Sequence, residues 1–303
     1  MKKIAAYILA VCLCAAWVGA ETGTTGAAFL KLGIGARPIG MGEVFVGLAD
    51  DVNSLYWNPS GLVEIKQTQV MAMHSEWLQN IRYEVLSYAQ PLDKNNYLGG
   101  YVLYLYLNDL ERRSADTSSY EGLFGAYDLV VDVAYAFRLD EKLSIGGGVK
   151  LISQNIDNKY ALGFAGDTGI KYKITEELTA GACVQNLGPK ISFVNEADNL
   201  PFNIGIGLGC KLFDKALLLG ADINFPVETT ANLHFGAEYT CVFGEFSISP
   251  KAGFRTDTAK DLGTLAGLTT GLGIGWKSFL LDYAFVPFND LGNTHQLSLL
   301  LKF

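Results

Sequence analysis

Three histidines, three cysteines beyond residue 20 and one pair of adjacent aspartates are the groups through which this chain would do catalytic or metal chemistry. His74, His234 and His295 are isolated from one another, and no His or Cys pair has the spacing of a zinc site. A serine nucleophile needs a His and an orienting polar group beside it. His295 and Ser298 fall on opposite faces of one alternating segment, which removes the nearest such pair. Gly40 and Gly42 make no phosphate cradle, because no Lys-Ser/Thr follows and no strand–helix pattern surrounds them. Asp50–Asp51 reads as a solvated or helix-capping pair before it reads as a cation site. Cys183, Cys210 and Cys241 are odd in number and far apart, so they imply no disulfide framework and serve as small apolar fillers. The expectation is a protein that is not an enzyme and holds no cofactor or metal.

The chain starts with a short basic stretch, Met1–Lys2–Lys3, and a 15-residue apolar core from Ile4 to Val18. Small residues at Gly19 and Ala20 then suit cleavage before Glu21, the pattern of a Sec signal peptide cleaved after Ala20. Cys12 and Cys14 follow Val11 and Leu13 rather than small residues, which disfavours lipidation. Removing the leader leaves 283 residues with a formal charge of −10. An acidic chain with no basic stripe argues against nucleic acid as a partner. Beyond the leader no run of 18 apolar residues occurs, although half the chain is hydrophobic. A membrane β-barrel hides its apolar residues in alternate positions, where a helix criterion misses them.

Residues 21–66 are rich in Gly and Ala and lack sustained alternation. From 67 to the end, 14 strand-like segments follow one another: 67–75, 82–90, 97–108, 127–138, 143–153, 161–174, 178–186, 201–212, 216–225, 231–240, 245–255, 267–277, 279–286 and 294–303. Short links, such as 92–96, 139–142 and 213–215, alternate with longer ones, such as 109–126, 154–160, 187–200 and 256–266. A transmembrane barrel with short periplasmic turns and longer outer loops produces that asymmetry, and an even strand number fits it. The expected fold is therefore all-β: a 14-stranded antiparallel transmembrane barrel over 67–303, with 21–66 as an N-terminal hatch in the lumen.

Side chains support this reading. In 127–138, Leu129, Val131, Val133, Tyr135 and Phe137 oppose Asp128, Asp132 and Arg138. In 294–303, His295, Leu297, Leu299, Leu301 and Phe303 oppose Gln296, Ser298 and Lys302. Charged groups are costly on lipid, so Asp132, Lys150, Asp167, Lys171, Asp222, Glu238, Lys251 and Arg255 must face the lumen. Trp276, Tyr239 and Phe254 end apolar faces, as interfacial girdles do. Glycines on polar faces either leave room for a plug or ligand or relieve crowding where the sheet curves. Segment 97–108 is apolar on both faces: Tyr101, Leu103, Leu105 and Leu107 on one, Leu98, Val102, Tyr104 and Tyr106 on the other. Its inner face packs against the hatch or lines a cavity for a hydrophobic molecule.

Residues 33–62 read GIGARPIGMGEVFVGLADDVNSLYWNPSGL. Ala36–Arg37–Pro38, Gly40–Met41–Gly42, Ala49–Asp50–Asp51 and Tyr56 to Leu62 together resemble the N-terminal region of the PorV/PorQ group and the UPF0164-like proteins of the FadL-like outer-membrane superfamily. That resemblance implies a hatch carrying an Asn-Pro-Ala element. Asn58 and Pro59 match it, Ser60 stands where alanine is usual, and Gly61 completes the turn. It also implies the bacterial outer membrane, contact with its lipid, and a third strand near the place where such barrels open sideways. Two functions follow as expectations: passive transport of hydrophobic small molecules past the hatch, or a PorV-like role in type IX secretion, binding and shuttling exported proteins. A structural plugged barrel is a third. The modest loops offer little surface to a protein cargo, which puts transport first.

Overall fold

The computed structural model describes residues 23–116, 118–193 and 196–303. The expected signal peptide, with its cleavage after Ala20, lies outside the described residues. Fourteen antiparallel strands close into a barrel. They are β1 (Gln69–Glu76), β2 (Arg82–Pro91), β3 (Asn96–Arg112), β4 (Gly122–Arg138), β5 (Leu143–Ile156), β6 (Lys159–Lys173) and β7 (Leu178–Leu187). Then come β8 (Asn203–Leu212), β9 (Leu217–Pro226), β10 (Asn232–Tyr239, continued by Cys241–Phe243), β11 (Phe246–Arg255), β12 (Leu268–Trp276), β13 (Phe279–Pro287) and β14 (Asn293–Lys302). Each strand pairs with its neighbours in sequence, and β1 closes on β14 from Gln69↔Lys302 to Glu76↔His295.

Every barrel strand overlaps a segment expected from alternation; the differences lie in the connections. Half of the expected loop 109–126 is strand, because β3 runs to Arg112 and β4 starts at Gly122. That hairpin extension has no sustained alternation to give it away, and its register shifts between Leu107 and Leu110 with Asp109 at φ 60°. The expected link 154–160 shrinks to a tight turn at Asp157–Asn158, with Asp157 at φ 56°, so long and short connections do not alternate there. The loop after β7 holds a small hairpin, Ile191–Phe193 with Glu196–Asp198, and the loop after β11 holds a helix, Thr256–Leu262.

The outer surface is a band of exposed Val, Leu, Ile and aromatic side chains, including Val133, Leu151, Phe164 and Leu297. At the end bearing the short turns, Phe246, Trp276 and Phe279 stack side by side with centroids 6.2 and 6.0 Å apart. The charged groups expected in the lumen are there: Asp132, Lys150, Asp167, Lys171, Asp222, Glu238 and Lys251 are all buried. Among the described residues no helix is long and apolar enough to cross a membrane; the strands carry the apolar surface.

The N-terminal segment, residues 23–66, packs against the inner wall, and its Met41, Val44, Phe45, Leu48, Val52 and Leu62 are fully buried. This decides what the polar-face glycines do. A Cβ on Gly253 would sit 2.1 Å from the backbone N of Gly42, and one on Gly146 2.4 Å from the carbonyl carbon of Pro59. These two wall glycines are seats for another backbone, and even a methyl group would displace it.

Candidate gate and outer chamber

Asn58 sits in extended backbone, as a residue before proline should, and Pro59 opens the 3-10 turn Pro59–Glu64. The Asn58 side chain is fully buried and fully employed. Its Nδ2 donates to the carbonyl of Val46 at 2.8 Å and to the carbonyl of Ile170 on β6 at 3.4 Å. Its Oδ1 accepts from the backbone N–H and the hydroxyl of Ser60, at 3.3 and 2.6 Å. The hydroxyl that distinguishes Ser60 from alanine thus completes the amide's bonding. Ser60 in turn accepts, through its carbonyl, from Ser144 Oγ on β5 at 3.2 Å. Gly61 is forced by space: a Cβ there would lie 2.4 Å from that of Ala49. The structure brings all four expected hatch residues together in one buried knot.

Charge fixes the segment elsewhere. Arg37 meets Asp50 at 2.7 Å and Asp51 at 2.6 Å, and its Nε reaches Glu238 on β10 at 2.8 Å. Lys211 on β8 pairs with Asp50 at 2.7 Å. The expectation of a solvated or helix-capping aspartate pair is therefore corrected. Asp51 does accept from the backbone N–H of Asn53, but both carboxylates are held by cations in the lumen. Burial alone would raise the Asp50 carboxyl; Arg37, with Lys211 and Lys171, overrides it and holds the group well below the usual carboxylate range. Two backbone amides, Phe45 and Val46, donate to Asp222 on β9 at 2.8 and 2.9 Å. Among the described residues no cluster of His, Cys, Asp and Glu is arranged to hold a metal ion.

A cavity of about 900 Å³ opens at the end bearing the longer loops. Its floor and one side are apolar: Leu30, Ile39, Tyr56 and Trp57 of the N-terminal segment, with Met73, Trp77, Tyr83 and Phe288 of the wall. Its other side is polar: Asn203, Asn224, Asn232, His234, Arg255 and Asp257, from β8 to the loop after β11. Arg255 binds Asp257 at 2.8 Å and also pairs with Glu43 of the N-terminal segment. Burial would raise the Asp257 carboxyl, but the His234 ring, its Nε2 3.5 Å away, and the charge of Arg255 hold it below the usual range. At the short-turn end, Val63 to Lys66 and the β2–β3 turn line a second hollow of about 580 Å³.

The residues expected to line a ligand site are placed elsewhere. Tyr101 and Leu103 point inward and are buried in the core cluster, Leu105 packs against it, and Leu107 is half-buried nearer the outer end. The inner face of β3 contacts the turns Ser54–Trp57 and Pro59–Glu64, and none of the four residues borders either cavity. His234, isolated in sequence, turns out to be a chamber residue. Its place on the inner face of β10, in line with Asn232 and Glu238, was the available signal.

A sequence profile for the type IX secretion system protein PorV matches residues 18–233. No curated protein matches the chain in sequence. The toluene transporter TodX of Pseudomonas putida superposes with a TM-score of 0.63 at 12% identity, covering 88% of this chain and 96% of TodX. The toluene transporter TbuX of Ralstonia pickettii gives 0.59 at 13% identity, covering 89% and 98%. A FadL homologue of Pseudomonas aeruginosa gives 0.63 at 11%, covering 90% and 99%. At such identities the likeness is one of fold, and it is the fold of FadL-type barrels. With the profile matching most of its length, this chain belongs to the PorV family, as an outer-membrane β-barrel of FadL-like architecture.

Proposed function

We propose that the protein conducts hydrophobic small molecules across the outer membrane through a lumen gated by its N-terminal hatch. The observation that carries this is the outer chamber, whose volume of about 900 Å³ and apolar floor suit a small organic molecule. The floor is the hatch itself, so cargo entering the chamber rests on the element that must yield. In this reading the knot of Asn58, Pro59, Ser60 and Gly61 is the gate. Shifting it exposes the Tyr101, Leu103, Leu105 and Leu107 strip of β3 as an apolar path, with lateral escape into the membrane as one exit. TodX and TbuX, which share the fold, are named as toluene transporters.

Uptake of a fluorescent hydrophobic probe by proteoliposomes tests it. Wild-type vesicles should fill faster than empty ones, and Asn58→Ala should change the rate while the barrel stays assembled. Equal rates for empty, wild-type and variant vesicles would leave a structural plugged barrel.

The family match favours a second reading, a type IX secretion component that binds exported proteins and secretion partners. The extension of β3 and β4, to Arg112 and from Gly122, supplies a raised surface for such a cargo. Recovery of secreted proteins sharing one C-terminal domain, together with no probe uptake, would favour this second role.

A further inference from the structure

The two sides of the outer chamber differ in kind. On the apolar side three aromatic polar tips are already taken by backbone carbonyls. Tyr56 OH donates to the carbonyl of Leu30 at 2.9 Å, Trp57 Nε1 to that of Ile34 at 2.9 Å, and Tyr83 OH to that of Leu32 at 3.1 Å. What these rings offer the chamber is carbon surface. Trp77 and Phe288 add an edge-to-face pair, centroids 5.2 Å apart.

Across from them runs a row of amides. Asn224 on β9 and Asn232 on β10 are direct cross-strand partners, and Asn203 on β8 donates to Asn224 Oδ1 at 3.3 Å. The row is short of partners: Asn203 Oδ1, Asn232 Oδ1 and His234 Nδ1 make no hydrogen bond, and His234 Nε2 has only Asp257 Oδ1 beside it at 3.5 Å, although Asn232 and His234 are only 9% and 5% exposed. Buried polar atoms are ordinarily satisfied, and these border a chamber large enough to hold the missing partner.

Its charge is constrained. The guanidinium of that wall, Arg255, is already shared by Glu43 and Asp257, and Lys31 is taken by Glu228 at 2.5 Å. Lys260 is exposed at the rim beside Asp261. An incoming carboxylate would find bound cations and four carboxylates in the lining, whereas a hydroxyl would find open acceptors.

We infer that the chamber selects an amphipathic, uncharged molecule, with its ring or alkyl body on the Tyr56–Trp57–Tyr83 side and a hydroxyl head donating to the Asn203–Asn232–His234 side. This rests on the reading of the chamber as a ligand site and specifies the ligand class.

Three probes of one shape separate the possibilities: toluene, p-cresol and p-toluate. Quenching of Trp57 and Trp77 fluorescence in the mature protein carrying Trp276→Phe, reconstituted in nanodiscs, reads binding. The expected order is p-cresol about tenfold tighter than toluene, with p-toluate weakest. In Asn232→Leu, His234→Leu and Asn203→Leu the p-cresol to toluene ratio should fall toward one. Three single variants, each checked for heat-resistant gel migration, guard against one that fails to fold. Binding of p-toluate as tight as p-cresol, or a ratio that survives all three substitutions, overturns the inference while leaving a hydrophobic chamber in place. If no probe quenches at all, the ligand-site reading falls first and takes this inference with it.

Discussion

The side-chain amide of Asn58 donates to the carbonyl of Val46 over 2.8 Å, tying together two passes of the N-terminal segment 12 residues apart. The same amide reaches the β6 wall at Ile170, so one residue couples the segment's internal shape to its seat in the barrel. A local sequence motif thereby becomes a tertiary fastener.

Replacing Asn58 with Ala removes both donors and the acceptor used by Ser60. Leaving buried partners unsatisfied costs about 1–3 kcal/mol for each group. The expected outcome is an intact barrel with a loosened segment. Limited proteolysis should cleave between residues 30 and 66 at least tenfold faster, while the strands keep their heat-resistant gel migration.

Arg37 joins Asp50, Asp51 and Glu238 at 2.6 to 2.8 Å, with 11% of its side chain exposed. Arg37→Leu strands Asp51 and Glu238 and leaves Asp50 to Lys211 alone, a loss of about 3–5 kcal/mol for a buried pair broken on one side. Arg37→Lys should recover part of it, since one ammonium cannot serve three carboxylates in the same fork. Hydrogen exchange of the amides of residues 36–58, in wild type and both variants, gives the ranking.

Because Asp50 is held below its ordinary pKa, its ion pairs stabilise the seated segment fully above the unfolded value, near 4. That contribution is lost as pH falls through the lower folded value. The part of any Trp57 fluorescence change that depends on Asp50 should therefore be absent from pH 7 to about 4 and appear only in stronger acid. Asp50→Asn should weaken seating at neutral pH and remove Asp50's share of the acid step. A transition between pH 5 and 7 that Asp50→Asn abolishes would contradict the assignment.

Gly253 leaves no room for a side chain, since a Cβ would stand 2.1 Å from Gly42 N and 2.3 Å from the carbonyl carbon of Met41. Both obstacles are backbone. Gly253→Val should keep β11 paired, because valine suits a strand, yet unseat the residues around Gly42. An open lumen in single-channel conductance, against a closed wild type, is the expected reading. Gly122→Val, where nothing lies within 4 Å, is the control.

Much of the architecture was legible because strand alternation is local. Side chains two apart share a face, so the lipid and lumen faces of β4, β8, β9 and β14 can be read without knowing their neighbours. The β3–β4 extension was missed because that signal vanishes once a strand stands outside lipid. Asn58, Pro59, Ser60 and Gly61 were visible as a motif, and Arg37 and Asp50 as parts of the same signature. Their partnership was not, since it depends on how the chain folds back inside the barrel.

By itself, then, the sequence determined the strand number, the inside–outside assignment and the segment that carries the Asn58–Gly61 motif, all properties of short stretches. Tertiary structure alone decided what the wall glycines accommodate, that Asp50 and Asp51 are ion-paired, and where the chamber lies. That chamber gathers Tyr56, Trp77, Asn203, His234 and Phe288 from distant parts of the chain. Closing the sheet on itself sets those strand ends face to face, and no local periodicity encodes which ones will meet.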